Sequence, residues 1–393
     1  MTTPYLTDAW RPENPEEAIL STCSTLISVI DGGFGSKIVQ FSHFSVKEFL
    51  ISDRLRTSEV GNIRNDHIRL DAAHTLLARA CLTVLLHLDE KTDKNCLATF
   101  PLAFYAAQHW FEHAKYENVA PQVQNAMEEL FNPDKPYLTS WVWIHDVDWP
   151  RFRISIRTVR DNRSRPKGTA LYYAALCGLS GPAKYLISTH GEDVNAKIGD
   201  RGNLLHAASN KGHLDAVSLL RDLGAEVNAT DERGRTPLWQ AYDGGHLQVM
   251  RLLLDHGAAP DVRYDDCGLL THDASCRGRA EAIRLLLQHN ADVNAPRPVT
   301  NSTPLHLASS MGHADVAQIL LEHGADIDAL SNFGTPLFCA VDRGNFNFTR
   351  LLLKRGADMQ IRGIQDLTPF QMATQKGYTR IAQLLLEHGA DKE

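Results

Sequence analysis

The sequence of 393 residues lacks a long apolar run. No stretch approaches the roughly 18 consecutive apolar residues that a membrane-spanning helix needs, so no membrane partner is expected. The N-terminal stretch contains neither a basic start nor an apolar core, and no secretory signal is predicted from it. We therefore expect a cytoplasmic protein, with the nucleus as the alternative compartment.

Paired cysteines are also missing. The seven cysteines are odd in number, scattered, and form no Cys-x-x-Cys pair. Neither a disulfide framework nor a structural zinc site is indicated by such a pattern. We interpret the cysteines as small buried residues in a reducing compartment.

A phosphate-binding loop is the third absence. The pattern Gly-x4-Gly-Lys-Ser/Thr occurs nowhere, and in the nearest candidate, residues 32–37 (GGFGSK), the lysine does not follow a glycine. We interpret that segment as the turn of a β-hairpin. The sequence thus predicts a protein without nucleotide, other cofactor or small-molecule ligand, and not an enzyme.

Charge divides the chain into three blocks. Residues 1–150 carry 12 basic and 20 acidic side chains, residues 151–167 carry seven and one, and residues 168–393 carry 21 and 26. The basic segment could contact nucleic acid or act as a nuclear address. We favour a linker that contacts the acidic blocks, because acidic flanking regions would repel a phosphate backbone.

A motif related to Thr-Pro-Leu-His recurs seven times in the C-terminal block. With the threonine position as origin, the copies begin at 169, 203, 236, 269, 303, 335 and 368. A glycine follows each origin after nine or ten residues, and a leucine-rich run follows the glycine. Threonine can cap a helix that proline opens, and glycine permits the chain to reverse before a second helix. The pattern predicts a solenoid of stacked helix pairs.

These motifs resemble the ankyrin repeat over residues 168–393. The resemblance implies an array of seven repeats that binds a protein partner through its concave helical face and its fingertip loops. The predicted fold class is mainly α: a partial winged helix and a helical region, followed by an ankyrin-repeat solenoid. The fourth copy has Leu269 and Leu270 in place of Thr-Pro, which puts its first turn in doubt.

Departures from the ankyrin pattern identify a candidate partner surface in repeats two to four. Trp239 and Tyr242 replace a histidine and a small residue on one short helix, and we expect Tyr242 to lean towards the concave surface. Aromatic and arginine side chains are frequent anchors of interfaces. The predicted partner-binding residues are Glu232, Arg233, Arg235, Trp239, Tyr242, Asp243, Asp265, Asp266, Arg277, Asn332, Asp342 and Arg343.

Histidines offer no metal site in the array, because the eleven of the 18 that fall there occupy only three positions of the repeat. One other motif, His109-x-x-Glu112-His113, matches the pattern of inverted zinc peptidases. Such a site needs a further glutamate some seventy residues downstream, and Glu192 falls in a turn of the first repeat. An apolar stripe also gives this helix an ordinary core face. The sequence therefore predicts no metal here.

The N-terminal block predicts a helix over about 15–25, strands over 26–30 and 37–44, and a helix opened by the capping box Ser45-x-x-Glu48. This order is that of the latter part of a winged helix. Residues 38–50 (IVQFSHFSVKEFL), 72–82 and 105–110 resemble the region after the nucleotide domain in fungal NACHT–ankyrin proteins of the STAND, NLR-like class. The resemblance implies a phosphate-sensing role for His43, but we favour a hydrogen-bonded structural histidine because the nucleotide domain is missing.

The predicted organisation is a partial winged helix at 1–60, a helical region at 61–150, a basic linker at 151–167 and seven ankyrin repeats at 168–393. The leading hypothesis is a non-enzymatic scaffold for protein–protein interaction in signal transduction. One alternative is the sensor half of a NACHT NTPase whose nucleotide domain lies on another or a longer chain. A second alternative is a winged-helix nucleic-acid binder, against which the acidic N-terminal block argues.

Overall fold

A computed structural model describes residues 27–32, 36–41, 70–88, 92, 97, 102–145, 168–198, 202–264 and 268–390. The chain divides into two compact units, Met1–Asp193 and Val194–Glu393. Both are mainly helical, as predicted. Within the described residues, no helix combines the length and the apolar character needed to cross a membrane.

Within its described residues, the first unit contains an antiparallel β-hairpin and six α-helices. The register pairs Ile27 with Phe41 and Gly32 with Ser36, so the predicted hairpin is present. The predicted helix over 15–25, the capping box and His43 lie outside the described residues. The elements are β1 (Ile27–Gly32), β2 (Ser36–Phe41), α1 (Leu70–Leu86), α2 (Leu102–Ala114), α3 (Ala120–Phe131), α4 (Tyr137–Ile144), α5 (Ala170–Leu176) and α6 (Ser180–His190).

Large aromatic rings form the core of this unit. The ring of Trp141 lies 5.3 Å from that of Trp110, 5.8 Å from that of Phe131 and 6.3 Å from that of Tyr173, measured between centroids. Its indole N–H donates to the carbonyl of Ala107 at 2.8 Å, so the buried polar atom is satisfied. Tyr173 belongs to α5 and α3 packs against α5 and α6, so the first repeat shares the core of the helical region.

In the second unit, the described residues form a stack of six pairs of α-helices. Each pair buries leucine and alanine side chains against the next pair, and this stacking replaces a single central core. Its helices are α7 (Leu204–Lys211), α8 (Leu214–Asp222), α9 (Pro237–Asp243), α10 (Leu247–Asp255), α11 (Leu270–Arg277), α12 (Ala280–Gln288), α13 (Pro304–Met311), α14 (Ala314–Glu322), α15 (Pro336–Asp342), α16 (Phe346–Lys354), α17 (Pro369–Gln375) and α18 (Thr379–Glu387).

Every predicted repeat origin is the N-cap of a first helix. In repeat three, the Thr236 hydroxyl accepts from the backbone N–H of Trp239, and Pro237 occupies the first turn. The seven glycines predicted to reverse the chain all have positive φ, between 70° and 79°. The doubt about repeat four is resolved: α11 forms although Leu269 has no side-chain acceptor, and His272 Nδ1 accepts from the N–H of Leu269 at 3.1 Å, as His306 Nδ1 does from the N–H of Thr303 in repeat five.

Candidate protein-binding surface

Fingertip three (residues 231–235) precedes α9 and is organised by a buried carboxylate. Asp231 accepts backbone N–H bonds from Arg233 and Arg235, each at 2.9 Å, and the Arg235 side chain binds the same carboxylate at 2.7 Å. These bonds hold the loop closed and leave the side chains of Glu232 and Arg233 exposed at its tip. The fingertip therefore presents two charges on a rigid loop.

Trp239 lies beneath this fingertip and is only partly exposed. The Arg235 guanidinium sits 4.8 Å from the centre of the indole ring, and the ring meets Tyr264 edge to face at 5.4 Å. The indole N–H is inaccessible and has no hydrogen-bond partner among the described residues. Trp239 thus packs against Arg235 at the base of the fingertip and remains partly exposed.

The expectation that Tyr242 leans towards the concave surface is wrong. Its side chain is 1% exposed and fills the space between repeats three and four. The hydroxyl donates to Asp273 at 2.6 Å, and the Arg279 guanidinium lies 4.4 Å from the ring centre. Burial and the Asp273 carboxylate raise the pKa of the Tyr242 phenol. At this exposure Tyr242 cannot be a partner-contact residue.

Asp273 and Arg279, which accommodate Tyr242, were not predicted. Both depart from the repeat pattern: Asp273 stands where Leu307 stands in the next copy, and Arg279 stands where His313 does. The sequence did contain a sign of this contact, because the two unusual residues lie in the fourth copy, directly after the copy with the unusual tyrosine. A comparison of neighbouring copies, rather than of each copy with the general pattern, would have found it.

Charged side chains of α9 and α11 meet at the surface next to the contact between Tyr242 and Asp273. These two helices are the first, or inner, helices of repeats three and four. Arg277 binds Asp273 at 2.9 Å and approaches Asp243 to 3.9 Å. The Asp273 carboxylate is the main cause of a raised pKa at Arg277, so the guanidinium stays charged. Arg277 and Asp243 are both exposed and form a polar surface across repeats three and four. Asp265 and Asp266, predicted to join them, lie outside the described residues.

A second charged group lies at the ends of the inner helices in repeats six and seven. Lys376 binds the Asp342 carboxylate at 2.7 Å, while Arg343 stays 3.8 Å from the same carboxylate and is exposed. Asn332 lies on fingertip six, and its side-chain amide donates to the carbonyl of Val299 at 3.1 Å. The structure therefore places Asn332 in a contact between fingertips as well as at the surface.

The zinc-like motif of the helical region is occupied by protein contacts. His113 Nδ1 lies 2.9 Å from Nδ1 of His74, and its Nε2 lies 2.9 Å from the hydroxyl of Tyr105. His109 is half-buried, and burial lowers its pKa. Across the described ranges, no group of three or more His, Cys, Asp or Glu side chains is arranged to hold a metal ion.

The chain matches the family model for ankyrin repeats (3 copies) at residues 171–266, 204–297, 269–331 and 328–393. It is 32% identical to azaphilone pigments biosynthesis cluster protein L of Monascus ruber over 227 residues, which are 53% of this chain and 46% of that protein. It is 33% identical to alpha-latrocrustotoxin-Lt1a of Latrodectus tredecimguttatus over 84 residues, 21% of this chain and 6% of the toxin. The chain thus spans less than half the length of either curated relative.

Among solved structures, the ankyrin repeat domain of Bcl-3, a member of the IkappaB protein family, is similar with a TM-score of 0.51 and 26% identity. The similarity covers 56% of this chain and 98% of that domain. The family matches, taken together, extend over residues 171–393, more than half of the sequence. With seven helix pairs that begin at the predicted repeat origins, this chain belongs to the ankyrin-repeat proteins.

Proposed function

We propose that this chain is a non-enzymatic scaffold that binds a protein partner through the fingertips and inner helices of its ankyrin array. The observation that carries this function is the separation of roles within each repeat. The capping residues of repeats two to seven and most leucines of the second helices are buried and used by the fold, whereas Glu232, Arg233, Asp243, Arg277 and Arg343 are exposed on the fingertips and inner helices.

The proposed site keeps most of the predicted residues. Arg235 and Trp239 contribute the packed base of fingertip three, and Asn332 and Asp342 contribute the corresponding support in repeat six. Interfaces combine a few anchors with surrounding polar contacts, so a partner need not contact every exposed charge. Tyr242 acts only by holding α9 and α11 together.

The test compares proteins retained by three immobilised forms of the full chain. One is the wild type, one carries Asp243→Lys, Arg277→Glu and Arg343→Glu, and one carries Arg251→Glu and Arg284→Glu on the second helices. Quantitative mass spectrometry should show a partner that is lost from the first variant and retained by the second. Equal retention by all three folded forms would contradict the proposal.

A second candidate function is the sensor half of a NACHT-type NTPase of the STAND, NLR-like class. It is supported by the β1–β2 hairpin, which ends in the Phe-x-His segment that resembles the winged helix of those proteins. The isolated chain is then expected neither to bind nor to hydrolyse ATP, because it lacks the backbone cradle and lysine of a phosphate-binding loop. Micromolar nucleotide binding would contradict that expectation, and an upstream reading frame with a Walker motif would favour this function.

On either proposal the chain acts in the cytoplasm, with nuclear entry through the basic segment 151–167 as the alternative. A winged-helix role in nucleic-acid binding makes a different prediction. It requires that the full chain bind duplex DNA and slow its electrophoretic mobility, and that added salt weaken this binding.

A further inference from the structure

Two arginines and one aromatic ring join the second helices of repeats six and seven. The Arg380 guanidinium on α18 lies 4.7 Å from the centre of the Phe346 ring on α16, and the Arg350 guanidinium lies 5.9 Å from the same centre. Both arginines are exposed, and Phe346 is partly exposed. One ring therefore holds two like charges at the surface through cation–π contacts. We call Phe346, Arg350 and Arg380 the Arg–Phe–Arg cluster.

The two guanidiniums have no acceptor within the part of the chain that the structure describes. Neither Arg350 nor Arg380 forms an ion pair or a side-chain hydrogen bond there. Across the same residues, the other cations that stack on rings each have a protein acceptor: Lys115 has Glu112, Arg235 has Asp231, and Arg279 has the carbonyl of Tyr242. Stacking on Phe346 thus restricts both guanidiniums and leaves their N–H groups available to an external acceptor.

Arg380 stands where the other repeats of the second unit have acidic or amide residues. The equivalent residues of repeats two to six are Asp215, Gln248, Glu281, Asp315 and Asn347. This position lies in the first turn of the second helix, where the helix dipole favours an acidic side chain and disfavours a cation. Phe346 likewise replaces a leucine or alanine of repeats two to five. Departures that oppose local stability are typical of functional sites.

The sign of the charge reverses at this end of the array. Residues 168–334 carry 13 basic and 20 acidic side chains. In contrast, α16 and α18 with their C-caps, residues 346–355 and 379–388, carry four basic side chains and one acidic side chain. The acidic one is Glu387, which accepts from Gln383 at 3.2 Å. It lies seven residues after Arg380, about 10 Å further along the helix axis.

The balance stays positive when the carboxylates of the neighbouring helices are included. The helices of repeats six and seven and the second helix of repeat five, residues 336–355, 369–388 and 314–322, together carry six basic and four acidic side chains. Asp342 binds Lys376 at 2.7 Å, while Asp315 and Glu322 of repeat five form no ion pair with either arginine of the cluster. The charge of the cluster is therefore not neutralised by these helices.

We propose that the Arg–Phe–Arg cluster binds the carboxylates of an acidic segment in a protein partner. A guanidinium presents parallel N–H donors that match the two oxygens of a carboxylate. The inference extends the proposed scaffold function from the fingertips and inner helices to the second helices of the last two repeats. Nucleic acid suits this surface less well, because residues 168–393 carry 21 basic and 26 acidic side chains and would repel a phosphate backbone.

The test selects peptides from a displayed random library against the full chain. The selected peptides should be rich in Asp and Glu. Arg350→Gln or Arg380→Gln should lower their affinity about tenfold or more, because each removes a charged hydrogen-bond donor. Phe346→Leu keeps both charges but removes the ring that holds them, so it should also weaken binding. Added salt should reduce the difference between each arginine variant and wild type.

The controls use residues at the same places in other repeats. Arg284→Gln changes the arginine that is equivalent to Arg350 in repeat four, where it lies 3.8 Å from Glu281, and should leave peptide affinity unchanged. Glutamine already stands at the equivalent places in other repeats, namely Gln318 and Gln383 for Arg350 and Gln248 for Arg380. Neither substitution in the cluster should therefore lower the melting temperature. A lower value for Arg380→Gln would show that this arginine serves the fold and would overturn the inference.

Other outcomes also decide against the inference. Selected peptides that are not acidic, or whose affinity is unchanged by Arg350→Gln and Arg380→Gln, would contradict it. Binding through the cluster only to phosphoserine peptides or to duplex DNA would show that the ligand is a phosphate and not a carboxylate. If the triple variant of the fingertip and inner-helix site loses a partner but no acidic peptide binds the wild type, the inference fails while the scaffold function stands. If acidic peptides bind through the cluster but all three immobilised forms retain the same proteins, the inference stands and the proposed site is wrong.

Discussion

Residues 102–145 are stabilised by aromatic rings that meet across several helices, whereas the array repeats leucine and alanine contacts at intervals close to 33 residues. In the helical region, the single ring of Trp141 contacts rings from three other helices. In the array, a leucine contacts its own repeat and the adjacent ones. We therefore expect a core substitution in the helical region to destabilise that whole core, and a core substitution in the array to destabilise only its own repeat and the adjacent ones.

Replacing the central ring of the first unit should have the largest effect. Trp141→Ala is expected to cost about 3–5 kcal/mol in the free energy of unfolding, because it removes a fully buried ring and its bond to Ala107. Hydrogen exchange should rise from α2 through α6, including the first repeat. The matched substitution Leu320→Ala should raise exchange in α14 and its neighbours only. A uniform rise along the chain in both variants would contradict the comparison.

Acid should destabilise the array through the histidines of its first helices. The Nε2–H groups of His206, His272 and His306 donate to backbone carbonyls at 2.9–3.0 Å, and burial lowers the pKa of each imidazole. Because the unfolded chain binds these protons more readily, this stabilisation is complete above about pH 6.5 and is lost as the pH falls below it.

Urea unfolding between about pH 7.5 and about pH 5 would measure this loss. The control replaces the three histidines by glutamine, the residue that repeat seven already uses, where Gln371 accepts from Thr368 N–H at 2.9 Å. The variant should show a flatter pH profile. A local probe in the array is needed, because burial also lowers the pKa of His145 in the first unit to about 4. An unchanged slope would exclude these histidines as the cause.

The contact between repeats three and four should respond to loss of one hydroxyl. Tyr242→Phe keeps the ring but removes the 2.6 Å bond to Asp273, with an expected cost of about 1.5–3 kcal/mol for a bond to a charged group. A double-mutant cycle with Asp273→Ala would isolate the pair. Additive effects in that cycle would show that the bond contributes nothing to stability.

The smallest predicted effect is a gain. Asn228 donates its amide to the carbonyl of Gly257 and accepts from Ala259 N–H, and Asn294 repeats this arrangement two repeats later. Asp261 holds the equivalent place, accepts from Asp292 N–H, and has a buried oxygen without a hydrogen-bond partner among the described residues. Burial raises the pKa of this carboxyl.

Asp261→Asn should therefore stabilise the array by about 1 kcal/mol at neutral pH, since the amide supplies a donor where the carboxylate has none. The gain should shrink in acid as the carboxyl of the wild type becomes protonated. Asn228→Asp is the matched control and should destabilise. A lower melting temperature for Asp261→Asn than for wild type would refute this account of the buried oxygen.

The repeat architecture could be predicted because its determinants are local. Each origin that was read from the sequence is an N-cap, and each mid-repeat glycine has a left-handed conformation, since a cap and a turn depend on residues a few positions apart. The hairpin followed from the same kind of signal. Strand ends differed by a few residues because pairing, not composition, fixes where a strand stops.

The candidate site was less predictable because its geometry depends on contacts between copies. Tyr242 is buried by Asp273, 31 residues later, and by Arg279, 37 residues later. Phe346 and Arg380 lie in different repeats, and only the fold shows that they meet. Sequence patterns thus identify the residues that build a repeat, while the residues left for binding emerge after the copies are stacked.

The ring of Tyr173 in the core of the first unit has a consequence for how such chains can be recombined. Because α5 packs with α3 and Trp141, the natural junction for exchanging an array between proteins is not the start of the first sequence repeat. A graft that separates residues 102–145 from α5 and α6 would leave an aromatic cluster open on the donor side. A helical region that is transferred to another protein should therefore keep the first ankyrin repeat, α5 and α6, together with residues 102–145.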